Sequence, residues 1–531
     1  MQRTVKFIVF VLSAVLCHCT GNNEQSPPDV HSYDTEEWYT DYSTDTLPDD
    51  SDGDSDDEDP GIHNSVITPL PGSFPTACEW DWTVRILHYM PMTIVPRRMY
   101  FASCNTGSAY PELFVSLTLG PDAAHPKRDP TGGAIVRFRY NASKQEFAKV
   151  EQRYFPECLE MHGIAASADC STVAALCRIK SGTPGADKDS LATHPSADWM
   201  TQPYYCGDKK NDEMWLHEWN NGSLGSGLKR YIVHKAIGSW EYGNNYLSFG
   251  EDDNTYGIAV KATVGDQSCH EADAFLVLDR TGYDMTNRAW SWACGTGHTL
   301  FNRPAFDPTT KKYAMMCSTD YNEAAIGGMG AYFFRMEDSP ALEFHHLNLE
   351  GIKNKGGAST LLALPGGGFM GVLVGVDGEI SPDVGYPLEP PTAIGLVTFD
   401  ATGSQVGEIN WTVKDPSAYL SYSQLAPLGN DRYLLGWGVM KKLSDPTDTT
   451  DESYRIPWQY YVVEIDKEGN RLTEPLLLDG AGWGEQDQMV PLGNGRVAWA
   501  YIEKPALMTN GAYPPCNSDS LQISVYVSPQ K

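Results

Sequence analysis

Apolar and polar positions alternate in a sentence that the chain writes more than once. "LAPLGNDRYLLGWG" begins at Leu425 and "MVPLGNGRVAWAYI" at Met489. In both, a tight Gly-Asn turn separates two apolar runs, which predicts a β-hairpin. Related copies begin at Gly163, Tyr246, Arg303 and Leu361, with a poorer one, "TIVPRRMYFASC", at Thr93. A second hairpin pattern follows, as in "GLVTFDATGSQVGEINWTV" after the Leu361 copy and "YYVVEIDKEGNRLTEPLLL" after the Leu425 copy. Each unit therefore predicts four strands, and self-similarity at a long period marks a repeat architecture.

From Cys78 to Lys531 these hairpins resemble those of the seven-bladed β-propeller superfamily. The resemblance implies an all-β fold of four-stranded antiparallel blades, seven in number. Two separate sandwiches would be the alternative, and the regular repetition argues against them. No WD dipeptide set, kelch pair or Asp-box accompanies the turns, so no narrower family is indicated. The C-terminal "LQISVYVS" has no strand after it; "EWDWTVRIL" near Cys78 is expected to supply one, with Cys78 bonded to Cys516.

Polarity follows from the repeat. In a blade with strands a to d, the a–b and c–d turns share one face, and the b–c loops share the other with the start of strand a. The long excursions, Ile179 to Asp212, Ser318 to Met329, Val376 to Pro391, Val439 to Pro457 and Glu503 to Ser520, are all b–c loops. Long loops on a rigid scaffold carry function more often than short turns. Where strand a enters from that face, the aligned copies hold His162, Asn245, Asn302, Thr360, Ser423 and Asp487, all polar. The next column is mixed: Gly163, Tyr246, Arg303, Leu361, Gln424 and Gln488. Side chains alternate across a strand, so one column should face the channel mouth. The first copy breaks the pattern with Pro91.

Composition narrows the partners. A net charge of −30 repels nucleic acid and anionic lipid. Arg3 and Lys6 before "FIVFVLSAVLC" read as a signal peptide over residues 1–21; the apolar run is too short to span a bilayer. Cys17 and Cys19 raise a lipid-anchor reading, although Leu16 and His18 fit a lipobox badly. Residues 22–77, with the block "DDSDGDSDDEDPG", are expected to be a disordered acidic linker. Asp50, Asp52 and Asp54 have calcium-loop spacing but lack the Gly and terminal Glu of an EF-hand, so a solvated stalk is expected. The even number of cysteines after the signal implies disulfides in a secreted or cell-surface protein, and the lack of CxxC gives no zinc signal. No cofactor or metal is indicated.

Two functions fit. One is binding of a glycan or an extracellular protein, with Trp199, Trp219, Trp240 and Trp458 as candidate sugar-stacking rings and Trp215 as a packing residue. The other is a polysaccharide lyase or hydrolase. A lyase needs a base near the uronate C5 and a cation near its carboxylate, for which His162, Tyr246, His298, Arg303 and Tyr422 are the candidates. A hydrolase needs paired carboxylates, with Glu485 and Asp487 the weak candidates. No GxSxG or HExxH occurs.

Overall fold

A computed structural model describes residues 60–67, 74–75, 99–119, 132–189, 212–220, 222–237, 246–250, 254–263, 271–285, 290–291, 303–319, 330–335, 343–345, 356–375, 392–440, 459–478, 482–483, 488–502, 517–518 and 521–529. All regular elements among them are strands. The signal segment and the block from Asp49 to Asp59 lie outside the described residues.

Six sheets are built from consecutive strands. Blade 1 comprises Met99–Cys104, Glu112–Leu119, Gly132–Asn141 and Glu146–Phe155. Blade 2 comprises Cys158–Ala166, Val173–Ile179, Asp212–Trp219 and Leu228–Ile237, with the short Lys188–Asp189 parallel at its edge. Blade 3 comprises Tyr246–Gly250, Thr255–Thr263, Glu271–Asp279 and Asp284–Met285, and blade 4 Pro304–Asp307, Lys312–Thr319, Gly330–Arg335 and Glu343–His345. Blade 5 comprises Gly356–Ala363, Phe369–Gly375, Ala393–Phe399 and Gln405–Lys414, and blade 6 Tyr419–Gly429, Arg432–Met440, Gln459–Asp466 and Leu476–Leu477. A further four-stranded sheet is composite: Val490–Gly493, Arg496–Ile502, Leu521–Val527 and, outermost, Gly61–Ile67.

The first strands of these sheets touch in a circuit. Each blade from 1 to 6 meets the next, blade 6 meets Val490–Gly493, and Val490–Gly493 meets Met99–Cys104 of blade 1. This is a β-propeller of four-stranded antiparallel blades. The sequence reading expected seven successive blades; the chain forms six contiguous ones, and its last three strands complete a sheet only with a strand from the other end of the fold.

That last strand is not the one expected. Gly61–Ile67 pairs antiparallel with Leu521–Val527 through the full register from Gly61↔Val527 to Ile67↔Leu521. It lies inside the span read as linker, while "EWDWTVRIL" lies outside the described residues, as do Cys78 and Cys516. The strand is short, and its three apolar residues, Ile62, Val66 and Ile67, do not alternate regularly, which leaves little periodicity to read. Its polar residues also make specific contacts. Asn64 Oδ1 accepts from Ser524 Oγ at 2.6 Å, and Ser65 Oγ accepts from the Phe147 amide of blade 1 at 3.0 Å. Beneath it, Leu113, Val115 and Val136 of blade 1 pack with Leu492, Ala498, Ile523 and Val525 of the composite sheet.

Neighbouring blades are clamped at the end that carries the short turns. Glu218, fully buried in blade 2, accepts from Tyr256 Oη at 2.8 Å, Arg280 Nε at 3.0 Å and Tyr283 Oη, all of blade 3. Burial alone would raise its pKa, but these donors outweigh burial and hold it below the usual carboxylate range. Asp307 of blade 4 accepts from the Gly368 amide of blade 5 at 3.0 Å. Tyr526 of the composite sheet donates to Glu464 of blade 6 at 2.9 Å, and Asn494 donates to the Gly107 carbonyl at 2.9 Å. The Cys104–Cys170 disulfide ties blade 1 to the first turn of blade 2, and Cys158–Cys177 ties two strands within blade 2.

Candidate functional site

At the opposite end, the b–c connections span 120–131, 180–211, 264–270, 320–329, 376–392, 441–458 and 503–520. Against these, the a–b turns span 105–111, 167–172, 251–254, 308–311, 364–368, 430–431 and 494–495. In antiparallel blades the b–c connections leave from the end where strand a begins. These connections therefore leave from the end of the blades at which the strands carrying the candidate residues begin.

The local structure there is irregular. Blades 2, 5 and 6 each interrupt the a–b register at this point: Met161↔Cys177 is followed by Ile164↔Ala175, Ala358↔Leu373 by Leu361↔Gly371, and Ser421↔Gly438 by Gln424↔Gly436. In each case two residues oppose one, which is a β-bulge. A bulge suspends strict alternation, so residues from both aligned columns meet in one network. This is why the simple two-column reading could not choose between them.

Side chains from six blades form that network. The Tyr100 hydroxyl of blade 1 lies 3.5 Å from His162 Nδ1 of blade 2. The Tyr100 ring meets the Tyr246 ring of blade 3 edge-on at 5.5 Å. Arg303, at the start of blade 4, lies over the Tyr246 ring at 5.3 Å. Its Nη1 donates to Gln424 Oε1 of blade 6 at 2.7 Å and to Thr360 Oγ1 of blade 5 at 3.3 Å. Ser359 Oγ donates to the Ser423 carbonyl. Each of these residues is buried, with Arg303 and Thr360 each 4% exposed. The collar is thus a buried polar and aromatic layer running from blade 1 to blade 6 at the level of the inner strands.

Backbone groups next to the bulge in blade 2 are satisfied by blade 1. Thr118 Oγ1 accepts from the Met161 amide at 2.9 Å, and Ser116 Oγ donates to the His162 carbonyl at 2.8 Å. Gly163 is required by close approach: a Cβ there would sit 2.4 Å from the Leu247 amide nitrogen of blade 3.

A chain of charges leads outward from the collar. His162 Nε2 lies 3.6 Å from Glu160 Oε2, which is 3.3 Å from Arg178 Nε; Arg178 Nη1 reaches Asp212 Oδ2 at 3.2 Å. Desolvation pushes the Asp212 carboxyl up and Arg178 pulls it down, with a net rise. Asp212 closes the 180–211 excursion, so this chain connects the buried collar to the loop end.

Of the sequence candidates, the structure brings together His162, Tyr246, Arg303 and Thr360, with Ser423 contributing its carbonyl. Tyr422 lies in the Tyr419–Gly429 strand, but its side chain is outside the described residues, as are Asn245, Asn302, His298, Asp487 and Glu485. Tyr100, Glu160, Arg178 and Asp212 were missed. The Thr93 copy had been aligned through Pro91, whereas its inner strand is Met99–Cys104 and its collar residue is Tyr100. Trp215 is buried, as its strand-like context suggested; Trp219 is buried too, against Phe155 and beneath Arg153, and so presents no ring to a sugar. Trp199, Trp240 and Trp458 lie outside the described residues.

No family model and no curated relative matches this chain. Among solved structures it is similar to a Dyadobacter fermentans protein of unknown function, at 8% identity and a TM-score of 0.38, covering 88% of this chain and all of the other. It is also similar to an ulvan lyase, a polysaccharide lyase, at 8% identity and a TM-score of 0.37, covering 69% of this chain and 78% of the other. A third is the acylaminoacyl peptidase of Pyrococcus horikoshii, at 10% identity and a TM-score of 0.38, covering 77% of this chain and 50% of the other. The fold assignment rests on the strand pairing described above. No helix among the described residues is long and apolar enough to cross a membrane.

Proposed function

We propose that this chain is an exported or cell-surface propeller that binds a glycan or a protein partner at the face of its b–c connections and the channel mouth beneath them. On this reading the composite sheet counts as the seventh blade, residues 1–21 direct export, and the acidic stretch acts as a tether. The two disulfides support an oxidising compartment. One observation carries the proposal. The long b–c connections all leave from the end at which the inner strands begin, and there polar and aromatic side chains from six blades converge. Ligand sites combine concavity with a few converging polar groups.

A glycan-array screen of the folded protein, alongside a pull-down with extracellular proteins, tests this. Saturable binding weakened by substitutions at the b–c connections is expected. Binding that survives there and is lost through exposed turn-end substitutions, such as Asp400→Ala, would refute it.

A second reading, polysaccharide cleavage, is favoured by the clustering of His162, Tyr100, Tyr246 and Arg303. A lyase would use the imidazole or a phenol as base and the guanidinium opposite the uronate carboxylate. Their burial is the argument for ranking binding first. Unsaturated product that is abolished by both His162→Ala and Arg303→Ala would establish the lyase.

A further inference from the structure

Blade 2 contains a fully buried histidine that the collar does not use. His217 lies on Asp212–Trp219, packed against the Phe155 ring at 5.2 Å, and neither ring nitrogen has a hydrogen-bond partner among the described residues. A buried imidazole always has at least one N–H to satisfy, and leaving it unmade is costly. Its surroundings supply a reason to keep it. The sulfurs of Cys158 and Cys177 and a His217 nitrogen all lie within 4.8 Å of one another. The three donors come from three adjacent strands, Cys158–Ala166, Val173–Ile179 and Asp212–Trp219. That is why no short cysteine motif announces them in the sequence.

We infer that blade 2 has a second state, in which the reduced Cys158 and Cys177 thiolates and the His217 imidazole bind a soft d10 cation of the zinc type. A dithiol reductant supplies two electrons. The Cys158–Cys177 bond breaks, two thiols form, and the reductant leaves as its disulfide. Metal binding then displaces both thiol protons, so two thiolates neutralise the divalent charge in a buried site. About 2.3 Å to sulfur and 2.0–2.1 Å to nitrogen are the required ligand distances. After reduction the two sulfurs must part from about 2.0 Å to about 3.8 Å, and the His217 nitrogen, within 4.8 Å of both, must close by up to about 1 Å, to reach tetrahedral spacing.

The other cysteine cluster makes the contrast. Cys104, Glu112 and Cys170 are equally close together. There, however, Glu112 is taken: Oε2 accepts from Arg137 Nε at 2.6 Å and Oε1 from Arg139 Nη2 at 2.9 Å. Of these two clusters among the described residues, the His217 cluster is the one with a donor waiting for a partner.

The site also touches the collar. Cys158 stands two residues before Glu160 and Cys177 one before Arg178, the pair that links His162 to Asp212. Exchange of disulfide for metal therefore acts on the strands that hold the candidate site.

The test uses the full chain, mildly reduced with a dithiol and then desalted, with Co(II) and Zn(II) as probes. One equivalent of Co(II) should bind per reduced chain, with sulfur-to-metal charge-transfer absorption, and be displaced by Zn(II); the oxidised chain should bind none. Affinity should fall at least tenfold in His217→Phe and vanish in Cys158→Ser/Cys177→Ser, but persist in Cys104→Ser/Cys170→Ser. Circular dichroism reports whether each reduced species stays folded. The inference is overturned if the reduced chain binds no Co(II), if it unfolds before it binds, or if His217→Phe binds as tightly as the parent.

Discussion

Arg303 links blade 4 to blade 6, and the strength of that contact can be measured. Nη1 donates to Gln424 Oε1 at 2.7 Å, a charge-assisted hydrogen bond in a buried setting. Such bonds contribute about 1.5–3 kcal/mol. The Tyr246 ring beneath the guanidinium adds about 0.5–2 kcal/mol. Arg303→Ala should therefore destabilise the protein by about 3 kcal/mol or more, and Gln424→Ala by about 2 kcal/mol. Both residues make other contacts, so only the double variant isolates the pair. The assay is urea unfolding of parent, both single variants and the double variant, with midpoints converted at a common slope. The expected coupling is about 1.5–3 kcal/mol. A coupling below about 0.5 kcal/mol, the level at which independent sites add, would refute the Arg303–Gln424 contact.

Further outcomes follow from the same geometry. Truncation through Asp59 should leave stability unchanged, whereas truncation through Ile67 removes the 7-residue closing strand, at about 0.5–1.5 kcal/mol per ladder bond, and exposes Leu521–Val527 as an open edge; thermal melts and light scattering report both effects. Burial pushes His234 down to about 4 from 6.5, so its contribution is intact above about pH 6.5 and lost as the pH falls towards 4, at no more than about 1.4 kcal/mol per pH unit; His234→Phe should flatten that part of the stability profile. Loop-closure entropy ranks the disulfides: removing Cys104–Cys170, with a separation of 66, should cost about 4 kcal/mol, and removing Cys158–Cys177, with a separation of 19, about 3 kcal/mol, as read from denaturation of the paired serine variants.

The repeated hairpins made the architecture legible before any coordinates. Turn residues and strand-length apolar runs are local signals, and the structure pairs them as the Leu425 and Met489 copies suggested. That an N-terminal segment completes the last sheet was legible from the partnerless C-terminal strand, but which segment does so was not. Gly61–Ile67 owes its place to a long-range pairing with Leu521–Val527; it carries no acidic residue and three apolar ones, but a seven-residue segment beside a like-charge block does not reveal its partner. The candidate site was half legible. His162, Tyr246, Arg303 and Thr360 were found from their register within the repeat. Tyr100 was lost to a misaligned first copy, and Glu160 and Arg178 read as ordinary strand charges until folding paired them. The bulges at Met161/Ile164, Ala358/Leu361 and Ser421/Gln424 decide which side chains converge, and a one-residue irregularity leaves no compositional trace.

Differential hydrogen exchange with a bound glycan or protein partner tests the functional polarity most directly. Protection is expected in the connections 120–131, 180–211, 320–329, 376–392, 441–458 and 503–520 and at the strand starts around His162, Thr360 and Ser423. The turns 167–172, 251–254, 308–311 and 430–431 should exchange as they do in the free protein. Protection concentrated in those turns, with the long connections unchanged, would contradict the account.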